Sequence, residues 1–350
     1  MKSMQRIIPD SSRAMRRAHT VGTALSLILL IMSPGAMCAA KERPLVSSRK
    51  AATATLRFTQ GNREQITQAQ ADLYERWRAN INLNQGIAFE AGREYLEKYP
   101  NNEYAAHVRK WVAAYEMAAR KLQFEQLLYK EKRYAAAFPL GKQILATEPD
   151  NIRTIIGLAS AGYLVASSAG DESFNPEALE FARRAITLLE RGGKPDDWKP
   201  FAGKPDALAY LNFIAGELLL KETPAESVNY FRKAIEQDGS VRNTPVVYSR
   251  LAIAYTVSEY EPLAKRFRGD TSRAPESAED KEALAKLLSV IDRIIDAYAR
   301  AVVLSGTDAQ YREARARWTE QLTGFYKFRH NDSTEGLEAY IASVTAKPLP

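Results

Sequence analysis

Small and apolar residues recur at helical spacing in the stretch from Lys132 to Asn151. They return at steps of three and four residues, which places them on one face of an α-helix. The face holds Tyr134, Ala137, Phe138, Gly141, Ile144 and Leu145. Pro149 stops the helix, because proline has no N–H and a fixed φ. We expect the small residues Ala137 and Gly141 to let a second helix approach this face closely.

The same arrangement of positions returns in segments that begin at Glu177, Glu226 and Ile294. Small or aromatic residues fill the corresponding slots of these segments, except for one isoleucine. The slots hold Ala178, Ala182 and Ala185, then Ser227, Phe231 and Ala234, then Ile294, Tyr298 and Ala301. Such recurrence indicates stacked helical units rather than unrelated amphipathic helices.

This pattern resembles the tetratricopeptide repeat, a helix-turn-helix unit of about 34 residues with small and aromatic positions in its second helix. The family's first helix is matched best by Tyr248, Leu251, Ala252 and Tyr255. The resemblance implies an all-α fold, namely an α-solenoid of antiparallel helix pairs whose first helices line a concave groove. The alternative is an unrelated helical bundle, which would show much the same list of helices.

The repeat spacing is irregular. The first slot falls at Ala137, Ala178, Ser227 and Ile294, so the steps are 41, 49 and 67 residues. The residues beyond the 34 of a standard repeat are expected in turn-rich insertions at 167–176, 191–205 and 266–281, which are rich in Gly, Pro and polar residues. The predicted fold is therefore a solenoid with loop insertions.

Composition agrees with an all-α chain. Hydrophobic residues make up 45% of the sequence, enough for a large core, and runs with a period of two residues are absent. The helices are predicted at 65–81, 85–99, 103–131, 134–148, 152–166, 176–190, 206–221, 225–238, 244–260, 280–304, 309–328 and 334–345.

Residues 1–40 have the three-part layout of a secretory signal peptide. Basic residues precede an apolar run at 21–32, and small residues follow at 36–40. The run has 12 residues, whereas a spanning helix needs about 20. Cleavage is the main interpretation, and an uncleaved anchor through 21–32 is the alternative. The remaining chain divides into a flexible linker (41–62), the solenoid (63–345) and a tail (346–350).

The export prediction changes two arguments from composition. Cys38, the single cysteine, falls in the signal region, so the mature chain would hold no thiol. The formal charge of +7 includes a net +4 from residues 1–40 and falls to +3 without them. We therefore expect no nucleic-acid partner. The predicted location is periplasmic or secreted, in a bacterium, with membrane contact only if the N-terminal segment stays attached.

The sequence offers little catalytic chemistry. Its histidines, His19, His107 and His330, stand apart. No HExxH, CxxC, GxSxG, GxGxxG or GxxxxGK[ST] motif occurs. We expect no catalytic residue, no metal site and no cofactor.

Two surfaces are predicted to bind a partner. From the family's first-helix positions, the groove would be lined by Asn212, Gly216, Ser249, Arg250 and Ile253. Arg250 could hold a carboxylate through its two-pronged guanidinium, and a solvated helix-face arginine is the alternative. The second surface is the loop that carries Trp198 and Phe201, which would form either a binding lip or a cap folded back over the groove.

Two functions remain open from the sequence. The first is a non-catalytic scaffold or adaptor, exported, that holds a protein or peptide partner in its groove, with envelope assembly as one setting. The second is an enzyme or small-ligand receptor built on a helical solenoid. The second function would need a deep pocket with a buried, unpaired glutamate. The oligomeric state stays open.

Overall fold

The computed structural model describes residues 67–267 and 277–350. Every regular element within these two ranges is helical, which confirms the all-α prediction. The predicted signal peptide (1–40) and linker (41–62) lie outside the described residues, as do the first residues (63–66) of the predicted solenoid and positions 268–276 of the predicted insertion at 266–281.

Thirteen α-helices lie in the described residues. The α-helices are α1 (Gln68–Asn80), α2 (Gln85–Lys98), α3 (Ala105–Glu125), α4 (Tyr134–Thr147), α5 (Ile152–Ala169), α6 (Asn175–Glu190), α7 (Lys204–Leu219), α8 (Pro224–Glu236), α9 (Pro245–Tyr255), α10 (Glu261–Phe267), α11 (Ala278–Ser305), α12 (Arg312–Arg329) and α13 (Leu337–Ser343). Single π-helical turns extend α3 (Gln126–Lys130) and precede α10 (Thr256–Tyr260), and short 3-10 turns lie at Glu172–Phe174, Ser240–Asn243, Ala309–Tyr311 and Val344–Ala346.

The chain divides into two compact units, with the boundary inside α3, between Gln123 and Phe124. The described part of the first unit contains α1, α2 and most of α3. Its core is built around Trp77 and Tyr95, both almost fully buried, with small and branched residues between the helices. Gly92 is required there, because a Cβ at this position would lie 2.8 Å from Cγ2 of Val112.

The second unit has a repeat-like arrangement. From α4 to α9, each helix packs against the next helix along the chain, and α11 then packs against α9 and α12. Helix α5 also contacts α7, and α13 contacts α11. Contacts between sequence neighbours are what stacked helical units produce.

The predicted apolar face of α4 is confirmed as a buried face. Tyr134, Ala137, Phe138, Gly141 and Ile144 are all buried, and the helix ends at Thr147, before Pro149. A Cβ at Gly141 would lie 2.8 Å from the side chains of Leu158 and Phe124, so the small residue allows the close approach. The corresponding slots in α6, α8 and α11 are buried as well.

Prolines mark the starts of four consecutive helices in the second unit. Pro176, Pro205, Pro224 and Pro245 each occupy one of the first two positions of α6, α7, α8 and α9. The missing N–H costs nothing there, since the first N–H groups of a helix have no acceptor within it. These residues fix where each helix begins.

One helix of the described chain, α5, is long and apolar enough to cross a membrane. In the fold, 72% of it is buried, as expected of the core helix of a compact unit. Asn151 caps its start by accepting from the Thr154 N–H at 3.0 Å. Gly170 ends it with φ of 71°, a left-handed conformation that glycine adopts without strain.

Candidate functional site

The predicted groove residues lie mostly inside the second unit. Asn212, Ser249 and Arg250 are 3%, 2% and 8% exposed. Gly216 is covered by Phe231, whose ring would lie 2.7 Å from a Cβ at this position. Ile253 is half-buried. The reason is that α7 and α9 are covered nearly all round, so their predicted open face is not open. A partner contact at these five residues stays a prediction.

Arg250 is held by a glutamate that sequence reasoning did not single out. Its Nε lies 2.9 Å from Oε1 of Glu217 on α7, and the two side chains are 9% and 10% exposed. Neither atom has a partner in hydrogen-bond geometry, so the contact is an ion pair without an aligned N–H···O bond. Arg250 is therefore not the solvated helix-face arginine of the alternative, because it is buried against a carboxylate of its own chain.

The charges of this pair affect the pKa values of two buried tyrosines. Burial raises the pKa of Tyr163 well above its ordinary value; the Glu217 carboxylate adds to the rise and Arg250 opposes it. Burial also raises the pKa of Tyr298, again opposed by Arg250. Together, Tyr163, Glu217, Arg250 and Tyr298 form the inner polar cluster. It draws one residue from each of α5, α7, α9 and α11.

The carboxyl of Glu217 has an altered acidity. Burial raises its pKa above the ordinary 4.5, and Arg250 partly offsets the rise. A glutamate with a raised pKa can serve as a general acid when a substrate reaches it. Here the carboxylate is buried but paired, whereas the enzyme alternative would need it unpaired. The arrangement is chemically suited to holding helices together.

A second candidate site is the aromatic cleft beneath the loop at 191–203. Its walls are Tyr129, Arg153, Ile156, Pro195, Asp197, Trp198, Lys199 and Phe201. The ring of Phe201 packs against Tyr210 of α7, with centroids 5.3 Å apart. The loop therefore folds back onto α7 at Tyr210, and whether it caps the predicted groove stays a prediction. Whether Trp198 and Phe201 contact a partner stays a prediction.

Arg153 is fixed at one side of the aromatic cleft. Its Nε donates to Oε1 of Glu125 at 2.5 Å, and its Nη1 donates to the main-chain oxygen of Asp197 at 3.1 Å. The Lys199 N–H donates to the Asp197 carboxylate and lowers its pKa, with Lys199 and Arg153 adding to the effect. The cleft thus combines three aromatic rings with an arginine that is ordered in advance.

No group of three or more His, Cys, Asp or Glu side chains suitable for a metal ion occurs in the described part of the chain. His107 is exposed and meets Trp77 edge-on, with ring centroids 5.4 Å apart. His330 stacks on Tyr326 at 4.1 Å. These two histidines lie against aromatic rings, not in a ligand set.

Glu217 and Arg250 could have been found from the sequence. Each is the only charged residue in a mostly apolar helical stretch, A-Y-L-N-F-I-A-G-E-L-L for Glu217 and P-V-V-Y-S-R-L-A-I-A-Y for Arg250. A charge in such a setting is rarely buried unless it is paired. The sequence therefore indicates that each of these charges has a buried partner, but it does not say which residue that partner is. For Arg153 and Tyr129 the sequence carries no comparable signal.

Comparison of the chain with protein-family models, curated proteins and solved structures found no match.

Proposed function

We propose that this chain is a non-catalytic binding scaffold, an exported solenoid of tetratricopeptide-like repeats that holds a protein or peptide partner. The proposal places the partner at the aromatic cleft beside Trp198 and Phe201 rather than at the inner faces of α7 and α9. It rests on the repeat-like packing of the second unit and on the chemistry of the cleft. Nucleic acid is not the expected partner.

The observation that carries this proposal is the set of half-buried aromatics beside a fixed arginine. Trp198 and Phe201 are half-buried, and Arg153 keeps its position through Glu125 and Asp197. Tryptophan, tyrosine and arginine are enriched among the few residues that contribute most to binding in protein interfaces. An arginine that is already ordered loses less entropy when a partner binds. The enclosed free space in the cleft is small, about one water molecule, so the partner is expected to pack on the exposed edges of Trp198 and Phe201 rather than to insert a large group.

The test is affinity capture of the tagged protein after mild crosslinking, with partners identified by mass spectrometry. Wild type is compared with Trp198→Ala, which removes a cleft wall, and with Ile253→Ser, the half-buried member of the predicted groove. Trp111→Ala is the matched control, because Trp111 is a half-buried tryptophan in the first unit. All variants are first checked for wild-type helicity and thermal unfolding.

Loss of the partner in Trp198→Ala alone supports the cleft. Loss in Ile253→Ser alone overturns the placement and returns the site to the predicted groove. If no partner is recovered by the wild type, the scaffold function is wrong and the enzyme or small-ligand receptor becomes the better hypothesis.

A further inference from the structure

The segment Lys347–Pro350, here called the docked tail, lies extended against the second unit. It follows the turn Val344–Ala346, and Lys347 has φ of −102° and ψ of 150°. Lys347, Pro348 and Pro350 are exposed, and Leu349 is half-buried. Since two of its four residues are prolines without an N–H, the docked tail is held mainly through its carbonyl oxygens.

Arg300 of α11 grips the first half of the docked tail. Its Nη2 donates to the main-chain oxygens of Lys347 at 2.8 Å and Pro348 at 3.0 Å. Its Nε donates to Oδ1 of Asp296 at 2.6 Å. With the tail in place the Arg300 side chain is 7% exposed, and its bond to Asp296, which does not involve the tail, orients the guanidinium.

Arg232 of α8 grips the other end. Its Nη1 donates to the main-chain oxygen of Pro350 at 2.6 Å and to the Tyr255 hydroxyl at 2.9 Å. Within residues 67–267 and 277–350, no Asp or Glu forms an ion pair with Arg232. The tail oxygen is therefore its strongest acceptor in the described structure.

A side-chain contact completes the arrangement. The Nζ of Lys347 lies over the ring of Tyr340, 5.4 Å from its centroid, a cation–π distance. The Tyr340 hydroxyl in turn donates to Oδ2 of Asp296 at 3.4 Å. We call Arg232, Tyr255, Arg300 and Tyr340 the tail surface. It shares no residue with the aromatic cleft.

We propose that the tail surface is a docking surface for an extended, proline-containing peptide segment of a partner protein, and that the chain's own tail occupies it in cis. On the tail itself, the hydrogen bonds from both arginines go only to main-chain oxygens, so another segment with this backbone shape can offer the same acceptors. Extended proline-rich segments lose little entropy when they bind, because their backbone is already ordered. Tyr340 favours a basic side chain next to the first proline.

Because the chain's own tail occupies the tail surface, a partner peptide has to compete with it. A tethered segment competes at an effective concentration on the order of millimolar. A partner peptide therefore binds only when it outcompetes the docked tail or when the tail is drawn away. This property concerns a different surface from the one in the proposed function, and it can hold or fail independently of it.

The test uses the full chain with a tail that docks poorly, made by Lys347→Gly, Pro348→Ser, Leu349→Gly and Pro350→Ser. Flexible Gly and Ser cost more entropy to order, and the Lys347 and Leu349 side-chain contacts are lost. The probe is a fluorescent peptide of sequence T-A-K-P-L-P, and its binding is followed by anisotropy. We expect the tail variant to bind the probe about tenfold or more tightly than wild type.

Two further variants locate the binding site in the tail-variant background. Arg232→Ala should weaken probe binding about fivefold or more, because a charge-assisted hydrogen bond is lost. Lys233→Ala removes the same charge from the next, exposed position of α8 and should change binding less than twofold. Equal binding by wild type and tail variant, or binding indifferent to Arg232, would overturn the proposal.

A second measurement uses the unaltered chain and does not depend on the tail variant folding. The methyl signals of Leu349 in a ¹³C NMR spectrum should lie away from random-coil positions and move toward them in Arg232→Ala. Random-coil signals in the wild type would show that the tail is not docked, and the proposal would be wrong.

Discussion

Two arginines in the second unit are buried with a carboxylate at similar depth, yet their surroundings differ. Arg250 has Glu217 at 2.9 Å, without an aligned hydrogen bond. Arg300 has Asp296 in an aligned bond and also donates to two carbonyl oxygens of the docked tail. The Arg250–Glu217 pair lies within the core and joins two helices. Arg300 also donates hydrogen bonds to the backbone of the docked tail. The remaining donors of a buried arginine thus indicate whether it only joins helices or also binds a segment.

The largest effect is expected from Arg250→Ala. The substitution leaves the Glu217 carboxylate buried without its counter-charge, which typically costs about 3–5 kcal/mol. Urea unfolding followed by circular dichroism should show a loss of this size. The double variant Arg250→Met with Glu217→Leu removes both charges and should lie much closer to wild type. A loss of unfolding free energy below about 1 kcal/mol in Arg250→Ala would contradict a buried ion pair between Arg250 and Glu217.

Arg300→Ala should cost less, about 2 kcal/mol in the same assay, because removing one partner of a buried hydrogen bond typically costs about 1–3 kcal/mol. Asp296 keeps the Tyr340 hydroxyl as a donor, and water can reach the site once the tail leaves. The Leu349 methyl signals should move to random-coil positions in this variant. A cost equal to that of Arg250→Ala would remove the distinction between the two arginines.

The pH dependence of the unfolding free energy tests the burial of Glu217, the partner of Arg250. Burial raises the pKa of Glu217 above 4.5 in the folded state, so the folded protein holds this proton more tightly than the unfolded chain. Its contribution to stability is complete below pH 4.5 and is lost as the pH rises through the folded-state pKa. The unfolding free energy of wild type minus that of Glu217→Gln should therefore fall as the pH rises above 4.5. Parallel profiles would show that Glu217 is not desolvated.

The smallest effect is expected at an exposed pair. Nη2 of Arg183 on α6 lies 2.6 Å from Oε1 of Glu226 on α8, and both side chains are 43% exposed. Exposed pairs contribute roughly 0–1 kcal/mol, because water and salt screen the charges. Arg183→Ala should change the unfolding free energy by less than about 1 kcal/mol, and added salt should reduce the difference further. A loss near that of Arg250→Ala would mean that burial does not decide the cost.

The helices and their buried faces were largely predictable from periodicity. The slots around Ala137 and Gly141 face the core as expected, and the helix limits fall within a few residues of those predicted, as at Ile152. Such agreement follows because a three-to-four-residue repeat reports which side of a helix is buried. Whether the repeats are of the tetratricopeptide type, and whether both units form one solenoid, stay predictions.

The candidate site was harder to predict. Periodicity does not reveal that α7 and α9 are covered on a second side, which is why Ser249 and Arg250 were expected in an open groove. The pairing of Glu217 with Arg250 joins residues 33 positions apart, and the position of the loop with Phe201 depends on a tyrosine of α7. These contacts are set by tertiary packing, which local sequence does not encode.

Because prolines lie at the starts of α6 to α9, we expect the connections before these helices to tolerate changes in length. A proline at a helix start disfavours extension of the helix backward into the preceding connection, since its ring clashes with the preceding turn. Extra residues placed in a connection therefore stay there and do not shift the register of the helix that follows. The uneven repeat steps of 41 and 49 residues can be accommodated in this way, so connections such as 191–203 can vary in length and side chain while the buried slots keep their alignment.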